Sequence, residues 1–402
     1  MPTVMFDVRS NHDTGVSRYG LSLLAAAAPL AVDAGWRVHV IASPWQYQRA
    51  AAAAAHSRAI RIHCCPDAET FVRRSAWLRA LLLRERADLY YTSHYTVDRR
   101  CPVPFVFTIH DLTRLRFPAL SYTERSFAEK HSPAELEFLR HELSALASWD
   151  RSVRPVNVFH RYFWSLNSYL STQARRIVTV SATSQHDIET MLGIPRSKIA
   201  LVRAGVNHLV FRHRQPHESS AVRRQLRIPG RYLLFVGLAH PNKRFHWLVE
   251  QLLAARQRLP PDLRLVAVGG HAERQAETLR RPDPGFVIYT GRVSDSDLAA
   301  LYSGAVAYVT ASVSEGSNLP AQEALACGCP VIATDIPAHR ETLGNAAYYY
   351  RGDRGRELAD LAVAAAAGLP SPTWGGPDWS TSGQALMRSL IAALNLDQAP
   401  AS

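Results

Sequence analysis

Two glutamates, Glu315 and Glu323, stand eight positions apart in the stretch SEGSNLPAQEALACGCP at 314–330, around Gly316, Ser317 and Asn318 and on either side of Pro320. The apolar run Ala307 to Thr310 just upstream predicts a strand. Proline suits a first helical turn, where its missing N–H is not needed, so a helix is expected to begin near Leu319. Glu315 then falls on the loop and Glu323 in the first turn, and both acids border one cavity at the helix N-terminus. Free backbone N–H groups at such an end attract phosphate or sugar oxygens, and carboxylates beside it accept paired hydroxyl hydrogens from a ribose or hexose. The same two acids could instead do no more than complement the helix dipole. Spacing alone leaves both readings open.

A second stretch, FVGLAHPNKRFHWLVEQL at 235–252, places Gly237 directly after a predicted strand and Lys243 six residues later, at the entry to another helix. A lysine so placed can aim a compact charge at a diphosphate, although an isolated lysine there is equally a solvated surface group. The two stretches together are far more specific than either one.

Apolar, β-branched runs alternating with longer helical stretches predict parallel strands joined by crossover helices, an α/β chain. Strands are expected at Val4 to Val8, Arg37 to Ala42, Leu89 to Thr92, Val103 to Ile109, Ile177 to Val180 and Ile199 to Arg203. A second series is expected at Tyr232 to Val236, Leu263 to Val268, Phe286 to Tyr289, Ala307 to Thr310 and Pro330 to Ala333. The polar stretch 212–231 reads as an interdomain connection between a first domain at 1–211 and a second at 232–377, followed by a C-terminal helix and tail at 378–402. Residues 122–155 read as a helical insert in the first domain, and Ser380 is expected to cap the last helix. The alanine runs at 50–55 and 362–367 are helix formers. In FHRYFWSLNSYL (159–170), Phe159, Tyr162, Phe163, Leu166 and Leu170 share one helical face, expected to pack in a core rather than lie on a membrane.

The 402 residues favour two domains, and no uninterrupted apolar run of about 18 residues marks a spanning helix. The N-terminus MPTVMFDVRS lacks the apolar core of a secretory signal, so cytoplasmic residence is the expectation. Cys64, Cys65, Cys101, Cys327 and Cys329 show no paired spacing, which argues against a disulfide framework and a zinc site; Cys327 and Cys329 read as small core residues. The net charge of +12 is carried mostly by the first half and suits phosphorylated ligands, anionic lipid or nucleic acid.

The sequence resembles family 4 of the retaining, nucleotide-sugar-dependent glycosyltransferases. The resemblance rests on Glu315 and Glu323 with the trailing EALACGCPVIATD, on Gly237 to Lys243, and on TGRVSDSDLAALY at 290–302. In the first half it rests on TGVSRYG at 14–20, TIHDL at 108–112, VTVSATSQHDI at 178–188 and VRAGVNHLVF at 202–211. It implies two facing Rossmann-like domains with parallel sheets, the GT-B architecture, with the C-terminal helix returning to the first domain. On individual positions it implies that Glu323 binds the ribose, that Glu315 sits by the transferred sugar, and that Lys243 neutralises the departing diphosphate, helped by Arg244. Gly237, Gly316, Ser317, Asn318 and Leu319 would line the donor, Val293 the base pocket, Gly15 the phosphates, and His110 would reach the donor sugar. From its place after a strand, His94 could touch the acceptor or be a structural histidine; Arg18 and Arg114 are read on the acceptor side, and Arg18, like Arg244, could instead assist Lys243 or be plain surface charge. The resemblance further implies a metal-independent reaction with no cofactor beyond the nucleoside diphosphate sugar, the leaving phosphate itself acting as base.

Three positions depart from the family pattern: Ser317-Asn318 where many relatives have Phe-Gly, Leu238 where many have arginine, and Asn207 where many have aspartate. The reading is a hexose or deoxyhexose transfer, mannose- or rhamnose-like, to a glycan or lipid-linked acceptor in surface polysaccharide synthesis, at the inner face of the membrane. The rivals are a sugar-nucleotide epimerase of the same architecture and a non-catalytic basic nucleic-acid-binding protein. No nucleic-acid reading motif accompanies the basic half, so a nucleic-acid partner is not expected.

Overall fold

The computed structural model describes residues 1–10, 14–55, 59–66, 71–94, 97–120, 133–146, 157–237, 240–270, 285–371 and 373–395. The chain divides into two compact units, Met1–Ala204 with Trp379–Ser402, and Gly205–Asp378.

The first unit is built on strands β1 (Thr3–Asp7), β2 (Arg37–Ala42), β3 (Ile60–Cys64), β4 (Leu89–Thr92), β5 (Phe105–Thr108), β6 (Arg176–Thr179) and β7 (Ile199–Leu201), ordered β3-β2-β1-β4-β5-β6-β7 and all parallel. The second is built on β8 (Tyr232–Val236), β9 (Arg264–Val268), β10 (Val287–Gly291), β11 (Ala307–Thr310), β12 (Val331–Thr334) and β13 (Ala347–Tyr350), ordered β10-β9-β8-β11-β12-β13, again parallel. Parallel sheets are covered on both faces by crossover helices, which is why inner strands such as TVMFD and AYVT are buried along their whole length. In each unit the strand order reverses once, between β1 and β4 and between β8 and β11. Loops diverge at such a switch point and leave a crevice at the carboxyl ends of the strands.

All eleven expected strands form, with ends displaced by no more than two residues. The two that were not expected, β3 and β13, are edge strands of their sheets. The C-terminal helix Trp379–Asn395 belongs to the first unit and packs along Gly15–Asp33. Gly383 permits that contact: a Cβ there would lie 2.7 Å from the Ala26 carbonyl oxygen. Ser380 falls inside this helix rather than capping it, because the helix already begins at Trp379.

The stretch 212–231 is not a connection between the units. Pro216–Gln225 is a helix within the second unit, opened by a reciprocal capping box between Gln215 and Glu218 and packed on the helix Asp295–Gly304. The chain passes between the units at 204/205 and 378/379, instead of through 212–231 and at 377/378. Of the expected insert 122–155, only 133–146 lies within the described residues; it carries the helix Pro133–Ala145.

In the helix Val158–Gln173, capped by Asn157, Phe159, Phe163, Leu166 and Leu170 are buried in the first unit's core and Tyr162 packs against it. The shared apolar face therefore serves packing. Among the described residues one helix, Gly15–Asp33, is long and apolar enough by composition to cross a membrane; in the fold it is a crossover helix burying Tyr19, Leu23, Leu24, Ala27, Ala28 and Ala31. Cys327 and Cys329 are buried in the second unit's core.

Candidate functional site

The loop leaving β8 and the loop leaving β11 are neighbours because their strands pair at the second unit's switch point. Backbone and side-chain bonds tie them together: Val313 N–H donates to the Asn242 carbonyl at 2.9 Å, and Asn242 Nδ2 donates to the Ser314 carbonyl at 3.2 Å. The tie brings Lys243 to Glu315, with Nζ 2.9 Å from Oε1 and both side chains largely buried. Gly237 makes room for this approach. Its φ is +138°, and a Cβ there would meet the Lys243 stem at 3.4 Å.

Ser312 Oγ donates to the same Glu315 oxygen at 2.7 Å, and having spent its proton it accepts from Thr310 Oγ1 at 3.1 Å. Burial pushes the Glu315 carboxyl up, but the Lys243 charge and the bonds from Lys243 and Ser312 outweigh it and hold the group below its ordinary range. Glu315 is therefore a fixed anion at neutral pH.

The helix Leu319–Ala326 starts where its sequence places it, capped by Asn318 in the left-handed region (φ +52°). Three contacts support that strained cap. Asn318 Nδ2 donates to His339 Nε2 at 2.8 Å, His339 Nδ1–H donates to the Thr334 carbonyl at 2.8 Å, and the Tyr308 hydroxyl lies 3.4 Å from Asn318 Oδ1. Burial lowers the His339 pKa, which agrees with a neutral ring that can accept from Asn318. Gln322 Nε2 pins Ser317 through its carbonyl at 3.0 Å and its hydroxyl at 2.7 Å. Among the described residues, the N–H groups of Gly316, Ser317, Asn318 and Leu319 meet no acceptor within the protein. Successive free N–H groups of this kind form a cradle for an anion.

Glu323 is the fifth residue of the helix and not in its first turn, which contains no acid. Dipole complementation therefore does not explain it; it is buried and accepts from the Tyr302 hydroxyl at 3.4 Å. Both carboxylates act on one group, since Tyr308 has its pKa raised first by burial and then by the charges of Glu315 and Glu323. The two acids thus converge on one locality. Arg244 does not join Lys243: its Nη1 donates to the Gly352 carbonyl at 2.6 Å and its guanidinium lies 4.3 Å from the Trp247 ring centre. Val293 follows β10 and packs against the core beside the cap Ser294. Asp295 and Asp297 have the D-x-D spacing of some metal-held diphosphate sites. Here they are the acids of a first helical turn, with the Asp297 N–H donating to Ser294 Oγ at 3.1 Å.

In the first unit, Gly15 opens the helix after the β1 loop, with nothing within 4 Å of where a Cβ would stand, so no protein atom demands a glycine there. Arg18 lies on the same helix's first turn. His110 Nε2 donates to the Ser93 carbonyl at 2.8 Å, and its ring stands edge-on to Tyr19 at 4.9 Å. His94, His110 and Arg114 share one locality: burial, His110 and Arg114 together push the His94 pKa down to about 3, and burial lowers that of His110. Both rings are neutral at pH 7. Arg114 lies 4.5 Å over the ring of Phe163.

Sequence reasoning missed Ser312, Tyr308, Gln322 and His339, which position the site. Only Ser312, two residues past a strand, carried any local signal.

Residues 14–210 match the family described as Glycosyltransferase Family 4, and residues 230–367 match the one described as Glycosyl transferases group 1. The chain belongs to glycosyltransferase family 4. Among its relatives is the O-antigen chain mannosyltransferase B of Escherichia coli, 29% identical over 182 residues that make up 43% of this chain and 46% of that protein. Another is the D-inositol 3-phosphate glycosyltransferase of Acidothermus cellulolyticus, 29% identical over 285 residues, 65% of this chain and 56% of the relative. The chain spans about half the length of these relatives. In fold it is similar to the Anabaena HepE structure in complex with UDP and glucose, with a TM-score of 0.64, 16% identity and coverage of 96% and 99% of the two chains. For a family 4 chain, the GT-B architecture is the expected one, and the two parallel sheets agree with it.

Proposed function

We propose that this protein transfers a hexose or deoxyhexose, mannose-like, from a nucleoside diphosphate sugar to a glycan or lipid-linked acceptor of a surface polysaccharide, with retention and without a metal. The observation that carries the reading is the Lys243–Glu315 pair beside the free N–H run at 316–319. A diphosphate gains negative charge as the sugar departs, and a lysine with preorganised amides stabilises that charge where it develops. Glu315, held ionised, faces the transferred sugar, and Glu323, one helical turn further on, takes the ribose. Mannosyl transfer in O-antigen synthesis by a relative supports the donor class. The basic excess of the first half suits an anionic acceptor and a peripheral contact with anionic lipid on the cytoplasmic side.

The test pairs calorimetry with a transfer assay across GDP-, UDP-, dTDP- and ADP-sugars, run with and without a chelator. Glu323→Ala should weaken nucleotide binding, whereas Glu315→Ala should leave binding mostly intact and abolish transfer. Full activity in both variants would overturn the assignment. Conversion of the donor without any acceptor would establish the epimerase instead.

A further inference from the structure

At the outer edge of the first sheet, three ligand-bearing side chains that the proposed transfer does not use meet each other. His39 on β2 and His63 on β3 lie on the same sheet face, since the parallel register sets Ile41 opposite His63 and His39 opposite Arg61. Their rings stack at 5.1 Å, with Nδ1 of His39 3.0 Å from Nε2 of His63. Glu85, just past the helix Phe71–Arg84, brings Oε2 to 3.7 Å from the same His39 nitrogen. The three ligand atoms all lie within 4.8 Å of one another.

We propose that His39 Nδ1, His63 Nε2 and Glu85 Oε2 form a binding site for a divalent transition-metal ion of the zinc class. Two imidazoles and a carboxylate suit zinc, nickel or copper far better than magnesium or calcium. Tetrahedral zinc with bonds of 2.0–2.2 Å needs its donors about 3.3 Å apart, and the 3.0 and 3.7 Å separations bracket that spacing. Three protein ligands leave the fourth position to water, which the partial exposure of His63 and Glu85 admits. Both imidazoles are disposed to be neutral: burial lowers the pKa of each, with His63 adding to the effect on His39. Binding requires no net loss of a proton from the rings, because the hydrogen between the facing nitrogens can move to the other nitrogen of its ring.

Arg61 competes for the site. Its Nη1 lies 3.2 Å from Glu85 Oε2, the oxygen the ion would take, while Arg84 holds the other oxygen at 2.9 Å. Arg61 is 67% exposed and can swing into solvent. The ion would cross-link β2, the edge strand β3 and the end of a helix, so its effect would be to pin the edge of the sheet.

The experiment uses the full chain, stripped with a chelator, titrated with ZnCl2 by calorimetry and with CoCl2 by visible absorption. One equivalent of zinc should bind, and cobalt should give the d–d bands of a tetrahedral site. Glu85→Gln and His63→Ala should each weaken zinc at least tenfold and abolish the bands, with circular dichroism confirming the fold. Arg61→Ala should tighten binding several-fold, an effect that a merely hydrogen-bonded histidine pair would not produce. Zinc uptake equal in the wild type, Glu85→Gln and His63→Ala, or no uptake by the wild type, would overturn the proposal.

Discussion

The two units reverse their strand order in the same way, yet the loops that leave the two reversals bring different groups together. At the second unit's switch point a lysine and a carboxylate pair at 2.9 Å, held by a serine and an asparagine and lying beside a run of free N–H groups. Near the first unit's switch point stand neutral histidines, an edge-on tyrosine and an arginine laid over an aromatic ring. Topology decides where loops converge, and it is silent on what they present. Charge held ready in a scaffold is what a departing diphosphate needs; uncharged rings suit hydroxyls and sugar faces.

After Glu315→Ala, which abolishes transfer, Lys243→Ala should show the largest effect. It should lower kcat for transfer about 10²–10³-fold, the scale for loss of a preorganised electrostatic contact, measured under saturating donor. The removal also leaves Glu315 buried without its cation, so the melting temperature should fall in parallel. Ser312→Ala should be milder, about tenfold in kcat, because it removes one hydrogen bond to an anion and leaves the ion pair standing. A loss as large as that of Lys243→Ala would mean that the serine does more than orient the carboxylate.

His94→Asn tests the other side of the comparison and should barely change the rate at pH 7. Its signature is in acid. The folded His94 pKa lies near 3, below that of an unfolded histidine near 6.5, so the unfolded chain binds more protons in that window. Stability from this group is complete above about pH 6.5 and declines as pH falls toward 3. Proton uptake on unfolding at pH 5 should drop by about one in the variant, measured by the slope of stability against pH.

Much of the architecture was legible because inner parallel strands are buried on both faces and read as short aliphatic runs. The two strands that escaped notice, IRIHC and AYYY, are edge strands, where one side has no strand partner and arginine, histidine or tyrosine are tolerated. The helix start at Leu319 was readable from Pro320. Glu323, expected in the first turn, is the fifth residue of a helix that starts at Leu319, which removes the dipole reading that the spacing leaves open. Nothing in the sequence shows that Arg244, in the left-handed region at φ +48°, turns toward Gly352 and away from Lys243. His339 and Tyr308 could not have been found, since they reach Asn318 only through tertiary contact. Lys243 is one of only three lysines among 46 basic residues, so its position was a stronger clue than a count of charges suggested.

The helix Trp379–Asn395 leaves the ribosome after the whole second unit, yet it completes the unit that precedes that one in the chain. During synthesis the second unit can therefore mature while its predecessor still waits, with the groove along Gly15–Asp33 uncovered. Damage near residue 383 would accordingly be felt at the opposite end of the polypeptide.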